Sequence, residues 1–322
     1  MSPPLTMLAE FVDRDFLPTR LSVQKKTREY YQRTAREYDA FRASQGLNGD
    51  SSPFDRRAMT EFLAALYRDD PTRAGRTNTR RRALITLWRF AAQLGLAGPL
   101  PPLPKAKEAQ KTPQAWTIVE VLRIIAQCRR LTGTVKGIPA NLWWESFILA
   151  IYSTGVRVNA LLSCGPLDLE VGTGALHLRW QTQKNWKEQT VFLSAEAIKA
   201  IVQHLDVTRD RIWPAPKKLQ KFNAKFRRIL KAARVKAGEG YGPLFHQLRR
   251  TNISLIAKYY GTDAAREAAG HVSAATTRKS YIDPRVAAPE HRPRLLPDIG
   301  PMLTDRQPTK KRRRGFEKGA GI

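Results

Sequence analysis

Apolar residues recur at helical spacing through the first hundred positions. Leu8, Phe11, Val12 and Phe16 form one such set, and Phe62, Leu63, Leu66 and Tyr67 another, which predicts a helical region over residues 5–97. Its last helix is expected from about Thr77 to Leu94. That helix carries Leu84, Leu87, Trp88 and Ala91 on one face and Arg80, Arg81, Arg82 and Arg89 on the other. The periodicity then breaks over 98–113, GPLPPLPKAKEAQKTP, where five prolines and three lysines predict an interdomain linker.

Beyond this break, Thr117-Ile118-Val119-Glu120 has the form of a capping box heading an amphipathic helix through Val121, Leu122, Ile124 and Ile125. A second apolar helix, about Leu142 to Ser153, stops at Gly155. Three strand-like runs follow, at about 167–171, 176–180 and 190–193, rich in branched and aromatic residues. They predict a small antiparallel sheet with a hairpin whose tip carries Lys184, Asn185, Trp186 and Lys187. Ser194 is placed to cap the next helix, and helices are expected from there to Arg294. In the helix over about 219–236, Lys221, Lys225, Arg228 and Lys231 share one face, and Phe222, Phe226, Ile229 and Ala233 share another. The expected fold class is mainly α with a small antiparallel β-sheet. The expected organisation is a helical domain over 1–97, a linker over 98–113, an α+β domain over 114–304 and a basic tail over 305–322.

Charge narrows the partners. The 322 residues hold 56 Lys and Arg against 28 Asp and Glu, a net +28. The excess is +7 over residues 1–110, +16 over 111–304 and +5 in the tail, so both domains are expected to face a polyanion, the phosphate backbone of a nucleic acid. The Arg80–Arg89 and Lys221–Lys231 faces are the candidate backbone-contacting surfaces. Cys128 and Cys164 are the only cysteines, which excludes a disulfide scaffold and leaves no CxxC for zinc. His177, His204 and His291 are scattered without ligand spacing, so neither a metal nor another cofactor is expected. The longest apolar run, Phe147 to Tyr152, is far short of a bilayer span. The expectation is a cytoplasmic, nucleoid-associated protein with no membrane partner.

Four local signals carry candidate chemistry. Thr154-Gly155-Val156-Arg157 puts an arginine fork directly after a helix-ending glycine, suited to clamping a phosphate. His246-Gln247-Leu248-Arg249 projects an imidazole and a guanidinium from one helical face. Gly270-His271 precedes Tyr281 by ten residues, with Ser273 as a plausible cap of the helix that carries the tyrosine. Lys184 stands on the hairpin tip, with Lys187 as a competing lysine. Each signal alone is common; their fixed order in one basic domain is not.

That combination resembles the tyrosine recombinase, or phage integrase, family. The likeness is strongest in HQLRRTNISLIAKYYGTDAAREAAGHVSAATTRKSY and extends to TGVRVNALLSCGPLDLEV and QKNWKEQTVFLS. It departs from the family at Ala160, where a carboxylate is usual, and at Gln189 and Phe192 in the hairpin. The resemblance implies a core-binding domain at the N-terminus and a tyrosine recombinase catalytic domain after the linker. It implies a site-specific recombinase that cuts and rejoins DNA through a 3′-phosphotyrosine, without metal or ATP. Arg157 and Arg249 would hold the non-bridging phosphate oxygens and His271 would donate a further hydrogen bond. Tyr281 would attack as a phenolate with His246 taking its proton, and Lys184 would protonate the leaving 5′ oxygen. Cleavage should then fall by several orders of magnitude in Arg249→Ala at equal protein stability. The implied assembly is a homotetramer on two double-stranded DNA sites, monomeric or dimeric when free, with Val286, Leu295, Leu296 and Leu303 available to pack either on a neighbour or on their own subunit. Because the helical pattern starts almost at Met1, no further arm-binding domain is expected. The alternatives are a catalytically inactive DNA-binding module of the same fold and a topoisomerase-like or telomere-resolving relative.

Overall fold

The computed structural model describes residues 6–47, 51–109, 112–182, 187–215, 219–237, 244–270 and 273–287. The chain divides into two compact units, Met1–Lys111 and Thr112–Ile322.

The first unit is helical. Helix α1 (Leu8–Phe11) runs into a π-helical turn (Val12–Phe16) and is followed by α2 (Lys25–Ser44), α3 (Arg56–Asp69) and α4 (Ala74–Gln93). Phe11, Phe16, Tyr38, Phe62, Leu87 and Trp88 form its core, as their helical spacing predicts. Asp39 on α2 accepts the Leu8 and Ala9 N–H groups at 2.9 and 2.8 Å, supplying the orphan donors of α1. The first half of the proline-rich stretch is docked along α4. Trp88 donates its indole N–H to the Gly98 carbonyl, Arg81 donates to the Leu103 carbonyl, and Asn78 bonds both backbone groups of Ala106. Leu103 itself is buried in this core.

Arg80 does not lie on an exposed basic face. It is 4% exposed and forked onto Glu37 of α2, Nε to Oε2 at 2.7 Å and Nη2 to Oε1 at 2.8 Å, with Nη1 on the Thr34 hydroxyl at 3.2 Å. A guanidinium is tolerated there because every direction of its fork meets an acceptor. Arg81 is half-buried, whereas Arg82 and Arg89 are exposed.

The second unit opens with α5 (Ile118–Arg129), whose capping box between Thr117 and Glu120 forms as expected. A hairpin of β1 (Thr134–Val135) and β2 (Ile138–Pro139), invisible to periodicity because its strands are two residues long, turns through Lys136-Gly137 with both φ angles positive. Then come α6 (Ala140–Thr154), α7 (Val158–Leu161), β3 (Leu169–Glu170), β4 (Ala175–Leu178) and β5 (Gln189–Phe192), followed by α8 (Ala195–Val202). The three strands pair antiparallel in the order β3-β4-β5, with Leu176 opposite Leu169 and Val191. Helices α9 (Leu219–Ala232), α10 (His246–Ala268), α11 (Ala274–Ser280) and α12 (Pro284–Ala287) complete the described part. Gly261 kinks α10.

The core of this unit is aromatic. Trp144 of α6 stacks on Phe222 and Phe226 of α9, and Phe226 stacks on Phe245 with centroids 4.3 Å apart. Phe245 thereby fixes the start of α10. Lys221, Lys225, Arg228 and Lys231 are exposed on α9 while Phe222, Phe226, Ile229 and Ala233 are buried. On α5, Leu122 points outward instead of into the core, because Val121, Ile124, Ile125 and Cys128 already fill the inward face. Burial pushes the Cys128 and Cys164 thiols up to about 12. Among the described residues no helix is long and apolar enough to cross a membrane.

Candidate active site

Helix α6 ends at Gly155, whose left-handed backbone (φ 63°) turns the chain sharply. Two residues later Arg157 stands at the N-cap position of α7. The turn is tight against α10: a Cβ at Gly155 would lie 2.3 Å from Asn252 Oδ1. Asn252 in turn donates to the Tyr152 and Ser153 carbonyls at 2.8 and 3.1 Å, capping the end of α6 from outside.

Arg249 lies one turn into α10 and is 3% exposed. Its Nη1 donates to the Gly155 carbonyl and its Nη2 to the Ala269 carbonyl at 2.7 Å. Among the described residues its Nε has no acceptor. Burial lowers the pKa of this guanidinium and the charge of Arg157 lowers it further, while Tyr281 pulls it back up. Arg157, Gln189, Arg249 and the backbone of Ala268–Gly270 together line one small polar recess. Two guanidinia around one recess that no carboxylate lines among the described residues form a site for an anion.

Tyr281 follows the last residue of α11. Its hydroxyl is 3.0 Å from His246 Nε2, and the Arg249 guanidinium lies 5.3 Å from its ring centroid. Thus an imidazole able to take a proton, a phenol able to attack and a buried arginine converge from segments 35 residues apart. Ser273 occupies the N-cap position of α11 but makes no side-chain cap.

Of the residues expected from the sequence, Arg157, His246, Arg249 and Tyr281 come together. Lys184 and His271 lie outside the described residues, as do Asn185 and Trp186; Lys187 is exposed. Gly155 ends α6 as its place before Arg157 predicts, whereas the hold of its carbonyl and that of Ala269 on Arg249, the place of Gln189 in the recess and the part of Asn252 depend on packing between α6, α10 and β5, which periodicity does not show. His204 is buried with Nε2 2.7 Å from the Ser146 hydroxyl, and His177 pairs with Glu170 on the sheet surface. Among the described residues no cluster of three or more His, Cys, Asp or Glu side chains could hold a metal.

Several solved structures share this fold. A lambda integrase dimer bound to a COC′ core site matches with a TM-score of 0.62 at 20% identity, covering 83% of this chain and 96% of that one. The XerH site-specific recombinase in a post-cleavage complex with a palindromic difH substrate matches at 0.66 and 16% identity, covering 86% and 82%. The Tn1549 transposon integrase in complex with circular intermediate DNA matches at 0.62 and 14% identity, covering 85% and 95%. No curated protein matches the chain by sequence. The sequence pattern that defines the phage integrase family matches residues 119–287, a span that starts on α5 and ends with α12, and so takes in the arginine recess and the His246–Tyr281 pair. By that match over more than half its length, the chain belongs to the phage integrase family.

Proposed function

We propose that Tyr281 is the nucleophile through which this enzyme carries out site-specific DNA recombination, the reaction of its family. The observation that carries the reading is the 3.0 Å approach of His246 Nε2 to the Tyr281 hydroxyl beside a buried arginine. Tyr281 Oη attacks the scissile phosphorus and gives up its proton to His246. A phosphotyrosine bond forms at the 3′ end, and the bond from phosphorus to the 5′ oxygen breaks. Arg157 and Arg249 stabilise the charge that builds on the non-bridging oxygens, and His271 adds a donor. Lys184 from the β4–β5 hairpin protonates the departing 5′ oxygen. The phosphotyrosine conserves the energy of the broken phosphodiester, so a second DNA end can attack it and be joined without ATP.

The partner is double-stranded DNA, held by Arg82 and Arg89 in the first unit and by Lys221, Lys225, Arg228 and Lys231 in the second. Those side chains supply a salt-dependent, sequence-independent share of the affinity. The working assembly is a tetramer on two DNA sites, as a lambda integrase structure on a Holliday junction is a tetramer. An apolar groove of about 600 Å³ between α5, α6, β5 and α10, with Leu122, Phe192, Tyr259 and Tyr260 open to solvent, supports contact with the C-terminal segment of a neighbouring copy. That segment contains Leu295, Leu296 and Leu303.

The test uses nicked duplex DNA from the regions flanking the gene, incubated in EDTA, stopped with detergent and resolved on a denaturing gel. The expected result is a covalent adduct that Tyr281→Phe does not form. Tight, salt-sensitive binding with no adduct on any flanking duplex favours the inactive DNA-binding module.

A further inference from the structure

The residues after Tyr281 turn the chain back towards the beginning of the second unit, and two polar side chains govern that turn. Ser254, on α10, sits inside it: its hydroxyl donates to the Tyr281 carbonyl at 3.1 Å and accepts the Asp283 N–H at 2.9 Å. Asp283 is completely buried. Through Oδ1 it accepts the Arg285 N–H at 2.9 Å, as an N-cap of α12 with Pro284 in the first helical position. Through Oδ2 it leaves that helix and accepts the Ala115 N–H at 2.8 Å, across 168 positions of sequence. Arg285 closes the ring, with Nη2 2.7 Å from Asp283 Oδ2 and 3.2 Å from the Ala115 carbonyl. The next residue, Trp116, is held by Thr251, which shares a face of α10 with Ser254 and bonds both backbone groups of Trp116 at 2.9 Å.

A four-residue helix needs only one cap oxygen, and a buried carboxylate is costly unless fully paired. Burial works to raise the Asp283 pKa, but the Arg285 guanidinium and the Ala115 and Arg285 N–H groups outweigh it, and the carboxyl stays below its usual range. The charge is therefore present to hold Ala115. The helix before Tyr281 cannot do that work itself: α11 has seven residues, of which only Thr277 is buried. We propose that Asp283, acting with Ser254, is a positioning residue for Tyr281, locking the backbone of the nucleophile segment against Ala115 and so holding the phenol at His246. The proposal rests on the reading of Tyr281 as nucleophile. It makes the path of the chain entering the second unit part of the active-site geometry.

Two readouts on the full-length protein test it, in Asp283→Asn and in Ser254→Ala. The first replaces Tyr281 by 3-fluorotyrosine and records its fluorine resonance without DNA. The second measures single-turnover adduct formation and Kd on the nicked flanking duplexes at saturating DNA. A shifted or split fluorine resonance, an adduct rate lower by about 10²-fold and an unchanged Kd are expected, since a displacement near 1 Å costs about that much. A fluorine resonance identical to that of the parent in a cooperatively melting variant overturns the proposal. So does a loss that lies wholly in Kd. If the parent forms no adduct at all, the nucleophile reading fails, and the fluorine resonance still decides whether Asp283 positions the residue. Should Asp283→Asn not fold, Ser254→Ala carries both measurements.

Discussion

His246 Nε2 and the Tyr281 hydroxyl meet at 3.0 Å although the chain between them passes the kink at Gly261 and the whole of the short helix α11. That approach puts the phenol within hydrogen-bond reach of an imidazole nitrogen before any DNA arrives. Tyr281→Phe should bind duplex DNA with unchanged Kd and form no adduct. His246→Ala keeps the nucleophile and loses its acceptor, so adduct formation should slow by about 10²–10⁴-fold at unchanged Kd. An adduct retained by the phenylalanine variant would move the nucleophile elsewhere, with the exposed Tyr259 and Tyr260 as the next candidates.

Arg249, a phosphate ligand in the proposed reaction, is also a structural strut, which changes one expectation. Its fork holds the Gly155 and Ala269 carbonyls, so Arg249→Ala strands two buried acceptors and should cost about 1–3 kcal/mol of stability besides abolishing cleavage. The equal stability expected from the sequence does not survive that geometry. Lysine restores charge but not the fork, so Arg249→Lys should recover little activity. Gly155→Ala attacks the same joint without touching a charge. Its Cβ would strike Asn252, and φ of 63° is strained for alanine. Thermal melting and adduct rate should fall together in that variant. A fully active Gly155→Ala would show that the Gly155 carbonyl does not set Arg249.

The candidate catalytic residues are legible in the sequence because the reaction of the family demands particular side chains. A His and an Arg three apart, and a Tyr beyond a Gly-His, are each common, and it is their order between 246 and 281 and the family resemblance it carries that mark them. The supports are not legible, for a physical reason. The start of α10 buries Gln247, Arg249, Thr251, Asn252 and Ser254 along with Leu248 and Ile253, so hydrophobic periodicity gives no clear sign of which side faces the core. The partners of Thr251, Asn252 and Ser254, namely Trp116, Tyr152 and Asp283, lie 29 to 135 positions away in their hydrogen bonds. Arg80 misleads for the mirror-image reason. A solvent-facing reading of arginine is the sound default, and only Glu37, 43 positions earlier, reverses it.

His204 gives the catalytic unit an acid limit. Burial, helped by Arg209, lowers its pKa to about 4 from an ordinary 6.5, so the folded protein keeps it neutral where the unfolded chain binds a proton. Between about pH 6.5 and 4 the unfolded state holds more protons, and stability must fall as pH falls through that window, by at most about 3 kcal/mol. Below about pH 4 this contribution is flat. His204→Phe should flatten the slope of melting temperature against pH in this range, at some cost from the Ser146 hydroxyl it leaves behind. An unchanged slope would place the acid sensitivity in other groups.

The arginines of α4 separate stability from DNA affinity within a single helix. Arg80 is spoken for by Glu37 and Thr34, whereas Arg82 and Arg89 are exposed, Arg82 with a single bond to the Thr79 hydroxyl at 3.1 Å. Removing Arg80 leaves the Glu37 carboxylate partly buried beside an emptied site, so Arg80→Ala should cost about 2–3 kcal/mol. The dependence of log Kd on log salt should not change in that variant. Arg82→Ala with Arg89→Ala should do the opposite, leaving melting intact and reducing the salt slope on duplex DNA by about 0.9 for each phosphate no longer neutralised. Titrations over a series of salt concentrations, with melting curves of the same preparations, distinguish the two. If Arg80→Ala flattens the salt slope without lowering the melting temperature, the Glu37 fork is not its resting place when DNA is bound, and the helix presents all of its arginines to the phosphates.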